Sequence, residues 1–127
     1  MAKRKIQITD GLAAVAAVRQ DSVLRLGQTA VGNPVLATAV RFLLEDLAQR
    51  LPGNSVEVRV PLFGAVQCVA GPDHRRGTPP NVVEMSAQTW LQLALGEVEL
   101  ATVLDAGKVL ASGTRALEFA AVLPLVR

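Results

Sequence analysis

The sequence predicts an α/β fold in which helices cover a small sheet, and three observations carry that reading. Val56-Glu57-Val58-Arg59-Val60 alternates apolar and polar residues, the pattern of a strand with one wet face. Asn81-Val82-Val83-Glu84-Met85 is a second β-like run, followed at once by Ser86 and the apolar series Trp90, Leu91, Leu93, Ala94 and Leu95. Between Pro34 and Leu51, Leu36, Val40, Leu43, Leu44, Leu47 and Leu51 recur every three or four residues, the period of a helix with one buried face.

Taken in order, the chain opens with a frayed start and then a helix that Asp10 is expected to cap. Leu12, Val15, Ala16 and Arg19 share one side of it, and Val23 and Leu26 extend the stripe toward Leu26. Gly27 to Asn33 reads as a linker. Asn33-Pro34 then sets a capping residue before a proline at the first helical position. Pro52-Gly53-Asn54 ends that helix. Pro61 to Gly64 is a four-residue turn, and Ala65 to Ala70 is the return strand of a hairpin, with Val66, Cys68 and Ala70 on one side. Ser86 caps the helix of Trp90, which Gly96 stops. A short helix spans Glu99 to Ala106, a strand 108–113, and a last helix Thr114 to Leu123, ended by Pro124. Leu117, Ala120, Ala121 and Val122 give this last helix a small-residue face toward the sheet, leaving space to be taken by a neighbour, by a ligand or by nothing.

Composition bounds the function. At 127 residues the chain fits one domain, 1–127, helical over 10–50 and carrying the sheet and C-terminal helices over 55–125. That length buries a core without staples. Net charge is +2, too little bias for a nucleic-acid binder, and aromatics for stacking on bases are scarce. One cysteine and one histidine exclude a disulfide framework and leave no metal site or cofactor to expect. Asp10 lies between Lys3-Arg4-Lys5 and the eight-residue run Gly11 to Val18, so the start reads as a helix and not an export signal. No stretch has the ~18 consecutive apolar residues of a membrane span. A cytoplasmic protein without integral membrane association is expected.

Chemistry-bearing patterns are few. Gly71 to Pro80 holds the sole histidine and an Arg pair. His74, Arg75 and Arg76 are anion-binding candidates, with Asp73 placed to orient His74, and the alternative is a solvated turn. The loop has the ends of a phosphate-binding loop without its interior. Cys68 and His74 lack a third catalytic member, so Cys68 reads as a small buried apolar residue. Glu84 alternates with apolar neighbours, and Arg76 or Arg115 is its expected partner if it is buried. No enzymatic activity is expected; the competing enzymatic reading rests on His74 and Asp73 alone.

Trp90-Leu91-Gln92-Leu93-Ala94-Leu95-Gly96, the short helix with Ala101, Ala106-Gly107-Lys108-Val109, Ala111-Ser112-Gly113 and Leu123-Pro124-Leu125 resemble the C-terminal half of the sterol carrier protein type 2 superfamily. There an aromatic or apolar helix ends at Gly, a Gly-Lys/Arg-Val-x-x-x-Gly strand follows, and a helix runs into a Leu-Pro-Leu-like tail. Pro52 to Pro61 and Gly77 to Glu84 are similar to stand-alone actinobacterial members, so the resemblance covers residues 34 to 125. It implies a mixed, mostly antiparallel sheet covered by helices, with an apolar tunnel that takes a fatty acid, a fatty acyl-CoA or a sterol-like molecule without catalysis. The chain departs from the family in ending Leu125-Val126-Arg127 without a peroxisomal signal, and its N-terminal helix matches weakly. A fold-level name does not establish a ligand. Candidate lining residues are Phe42, Phe63, Met85 and Trp90, with Leu93, Leu104, Phe119 and Leu123; for each the alternative is ordinary core packing. The alternative function is a polar-ligand or regulatory protein-interaction module that uses the loop 71–80 and has a filled core.

Overall fold

The computed structural model describes residues 4–21, 23–26, 33–71 and 78–126. In chain order its elements are α1 (Ile8–Gln20), a 3₁₀ turn (Leu24–Leu26), α2 (Pro34–Arg50), β1 (Val56–Val60), β2 (Gly64–Cys68), β3 (Asn81–Met85), α3 (Ala87–Ala94), α4 (Leu100–Asp105), β4 (Val109–Ser112) and a C-terminal 3₁₀ segment (Ala116–Val122). The four strands make one mixed sheet in the order β2-β1-β3-β4. β1 pairs antiparallel with β2 and β3 with β4, while β1 and β3 run parallel, so the fold is α/β with a mixed, mostly antiparallel sheet as expected.

Register places Val56, Val58 and Val60 on the same face as Asn81, Val83 and Met85, and this face is buried. The helices lie over it. The core between them contains Trp90, Phe119, Leu36, Leu43, Leu47 and Val58, all fully buried. The other face carries the expected polar partners: Arg59 bonds Glu57, and the Gln67 amide donates to the same carboxylate.

Local signals act where the sequence puts them. The Asn33 side chain accepts from the Leu36 N–H (3.2 Å), with Pro34 opening α2. Ser86 Oγ accepts from the Thr89 N–H (3.1 Å) at the start of α3. Each satisfies an N–H that no helical carbonyl can reach. The buried face of α2 runs through Leu36, Val40, Leu43, Leu44 and Leu47, while Leu51 is half-buried beyond its end.

Several expectations are corrected. Asp10 is not the cap of α1, which begins at Ile8 after Gln7 and holds Asp10 in its first turn, where a carboxylate still suits the helix dipole. The helix stops at Gln20, and the Leu24–Leu26 turn is separate from it. Its buried residues are Gly11, Ala14, Val15 and Val18, and Leu12 is exposed. The buried stripe is rotated from the expected one because a Cβ on Gly11 would overlap the Phe42 ring of α2. A bare backbone there lets the two helices close on each other, a gain that single-helix periodicity does not register.

The hairpin turn is three residues, Pro61 to Phe63, since Gly64 already pairs with Val60. The return strand ends at Cys68, before Ala70. Val69 has φ +69°, a costly value for a β-branched residue, and its N–H donates to the Leu51 carbonyl (2.7 Å) at the end of α2. The C-terminal segment is 3₁₀ and shorter than the expected helix. Its threefold period turns Ala116 and Phe119 inward and leaves Leu117 exposed, so Phe119 occupies the space assigned to a small-residue face.

Candidate functional site

Because β1 and β3 are parallel, both finish at the same end of the sheet, and the helical N-terminus of α3 follows β3 directly. β4 starts at this end too, being antiparallel to β3. The β1–β2 turn, the β3–α3 joint and the α4–β4 joint therefore converge. They surround an open cleft of about 560 Å³, within the roughly 300–1,000 Å³ of small-molecule sites. Its apolar lining is Pro61, Phe63, Met85 and Leu110. Its polar lining is Arg25, Glu84, Ser86, Gln88 and Lys108.

The polar lining is organised around Arg25. Its guanidinium bonds both oxygens of Glu97 at 2.8 and 2.6 Å, which ties the Leu24–Leu26 turn to the segment after α3. The hydrogen bond from Arg25, with its charge, holds the Glu97 carboxyl below the usual carboxylate range. Arg25 Nε is buried and has no hydrogen-bond partner among the described residues. Lys108 is exposed, as is Gly107, the turn residue before it with φ +72°. The first N–H groups of α3, at Ala87 and Gln88, have no acceptor within the helix. The lining thus contains several donors, with Glu84 as the single carboxylate among its described residues.

Glu84 is half-buried on the open face of the sheet, opposite Leu110 in β4. Arg115 is not its partner. That guanidinium bonds Glu118 (2.8 and 2.9 Å) and the Ala70 carbonyl (2.7 Å), and its backbone N–H donates to Asn81 Oδ1 (3.0 Å). Asn81 is buried and donates in turn to the Ser55 carbonyl (2.8 Å), so it joins the starts of β1 and β3 to the C-terminal segment.

A second cleft, of about 290 Å³, lies between α2 and β2. Leu44, Ala48, Ala65, Val66 and Ile6 give it an apolar lining, and Phe63 lines it as well as the first cleft. The N-terminal strand of chain beside it is strapped to α2. Lys5 and Ile6 donate backbone N–H groups to Glu45 (3.1 and 3.2 Å), and Arg4 pairs with Asp46 (2.7 Å). The Arg4 guanidinium also lies 4.9 Å from the centroid of the Phe42 ring.

The candidate lining residues separate into groups. Phe63 and Met85 meet in the first cleft. Leu93 and Leu123 border a shallow depression of about 190 Å³ beside Gly96. Trp90 is fully buried, and its Nε1–H donates to the Val40 carbonyl (3.2 Å). Phe119 is fully buried, Phe42 packs between Gly11 and Arg4, and Leu104 is half-buried against the core. His74, Arg75 and Arg76, with Asp73, lie outside the described residues. Arg25, Lys108 and Leu110 were not anticipated, because each is a single ordinary residue brought to the cleft by a different connection. The only local sign is at Arg25, a charge set between Leu24 and Leu26.

Cys68 is buried, and desolvation pushes its thiol up to about 12, the reverse of an activated nucleophile. No group of three metal-ligating side chains is found among the described residues, and no described helix is long and apolar enough to cross a membrane.

No curated protein sequence gives a match. A family model described as the bacterial SCP ortholog matches residues 32–125, which takes in α2, the whole sheet, both clefts' β-strand walls and the C-terminal segment. The chain belongs to this bacterial sterol carrier protein family.

Proposed function

We propose that the protein is a non-catalytic carrier of an amphipathic lipid, a fatty acid or fatty acyl-CoA, held in the cleft at the end of β1 and β3. The observation that supports this is the mixed lining of that cleft, where Phe63, Met85 and Leu110 occur together with Arg25, Lys108 and the first turn of α3. The acyl chain lies against the apolar side chains and the anionic head meets the donors. Each buried methylene contributes about 0.8 kcal/mol, so ten of them yield about 8 kcal/mol before the cost of association. A donor-rich lining favours an ionised amphiphile over a sterol, whose hydroxyl has no charge to offer.

Titration with a fluorescent fatty acid, followed by displacement with hexadecanoate, its methyl ester and palmitoyl-CoA, tests this. Saturable binding is expected, with the methyl ester weaker than the acid and Lys108→Glu weakening the acid alone. If no acyl ligand displaces the probe, or the probe fails to bind, the carrier reading is wrong. The competing reading, a polar-ligand or regulatory module working through the loop 71–80, is favoured by one observation: Trp90 and Phe119 fill the middle of the core. It predicts an empty protein by native mass spectrometry and no acyl binding.

A further inference from the structure

We infer that Phe63 is a partition between the two clefts, and that its ring sets the length of acyl chain the protein accepts. The inference rests on the carrier reading above. Phe63 lines both the cleft of about 560 Å³ at the sheet end and the cleft of about 290 Å³ between α2 and β2. The far walls differ: Met85 and Leu110 bound the first, Leu44 and Val66 the second. Arg41 also borders the second cleft beside Phe63, and a chain that passes the ring lies against Leu44, Ala48 and Val66 on the other side of it.

The backbone around the ring is fixed while the ring is not part of any strand. Phe63 sits at the end of the three-residue turn between β1 and β2. Its N–H donates to the Val60 carbonyl (3.0 Å), and its own carbonyl accepts from Arg41 Nε (2.7 Å). The preceding residue, Leu62, is exposed and has φ +73°, a left-handed turn conformation that directs the chain sharply into Phe63. With N–H and carbonyl both held and the ring buried, the side chain stays between the clefts and closes the first.

Wild-type affinity for saturated fatty acids should rise about fourfold per added methylene and then level off once the chain reaches the closed ring. Phe63→Ala removes the partition, and the rise should continue for several further methylenes. Phe63→Leu, which keeps most of the packing, should give an intermediate limit and guards against a variant that fails to fold. A second readout is methyl NMR with dodecanoate and octadecanoate. Leu110 should shift with both acids in wild type, and Leu44 and Val66 should shift with the longer acid in Phe63→Ala. If wild type binds and the length limit is the same in all three proteins, the partition is wrong and the carrier reading stands. If neither protein shows shifts or displacement with any acid, both are wrong.

Discussion

Gly11→Ala sets two effects against each other, and the structure decides the sign. In an exposed helix interior, alanine is favoured over glycine by about 0.8–1.0 kcal/mol, so the substitution would stabilise α1 if space were free. It is not free. A Cβ at residue 11 would overlap three atoms of the Phe42 ring, well inside the closest contact that real Cβ atoms make. The ring cannot simply swing clear, because it is buried and the Arg4 guanidinium lies against it. Relief therefore requires α1 and α2 to separate or Phe42 to leave its rotamer, an overpacking cost of about 1–3 kcal/mol. The net is a destabilisation of up to about 2 kcal/mol, a lowering of Tm by up to several degrees for a chain of this size. Urea denaturation of four proteins measures it: wild type, Gly11→Ala, Phe42→Ala and the double variant. Phe42→Ala alone should cost about 3–5 kcal/mol, and adding Gly11→Ala to it should then be neutral or stabilising. A stabilised single variant, or no coupling between the two sites, would refute the close approach of the helices.

Trp90→Ala should cost about 3–5 kcal/mol in urea denaturation, because it empties a fully buried site and leaves the Val40 carbonyl without the indole donor; an unchanged midpoint contradicts its burial. Asn81→Ala should cost about 2–3 kcal/mol through loss of its bonds to Ser55 and Arg115, and an effect below 0.5 kcal/mol rules out the bridge. The folded-state pKa of Glu97 is depressed, so the Arg25 pair contributes stability above the unfolded glutamate pKa and loses it as pH falls through the lower folded value. The stability gap between wild type and Arg25→Gln should therefore shrink below about pH 4, and a pH-independent gap counts against the pairing. Cys68 should react with a thiol reagent at pH 8 no faster than the protein opens, and a fast reaction of the native state contradicts its burial.

What the sequence revealed of the fold follows the range of the forces involved. Strand alternation at Val56 to Val60 and the caps at Asn33 and Ser86 are local, each needing no more than a turn of chain, and all three occur where they were read. The α1 face was misread because it is chosen by Phe42, more than a helix away, acting through the absence of a side chain at Gly11. The C-terminal segment was misread because a 3₁₀ and an α-helical period diverge by about a third of a turn over seven residues, so they present different faces to the core. Phe119 points inward under the first and the alanines under the second.

The candidate site shows the same division more sharply. Phe63 and Met85 were singled out for being large and apolar, a property that core packing shares, and composition cannot separate the two roles. What distinguishes them is position. Both lie at the end of the sheet where the parallel pair β1 and β3 stops, while Trp90 and Phe119 are fully buried and line no described cleft. The parallel pairing also gathers the site's donors. It brings the β3–α3 joint beside the β1–β2 turn, and antiparallel β4 adds Lys108 from the opposite direction. Had β3 run antiparallel to β1, Ser86 and the start of α3 would sit at the far end, away from Phe63. The candidate cleft thus lies where strands end and helices begin. There apolar side chains leaving the core meet backbone N–H groups that no helix can satisfy. The valines of β1, all buried, remain free to hold the fold together.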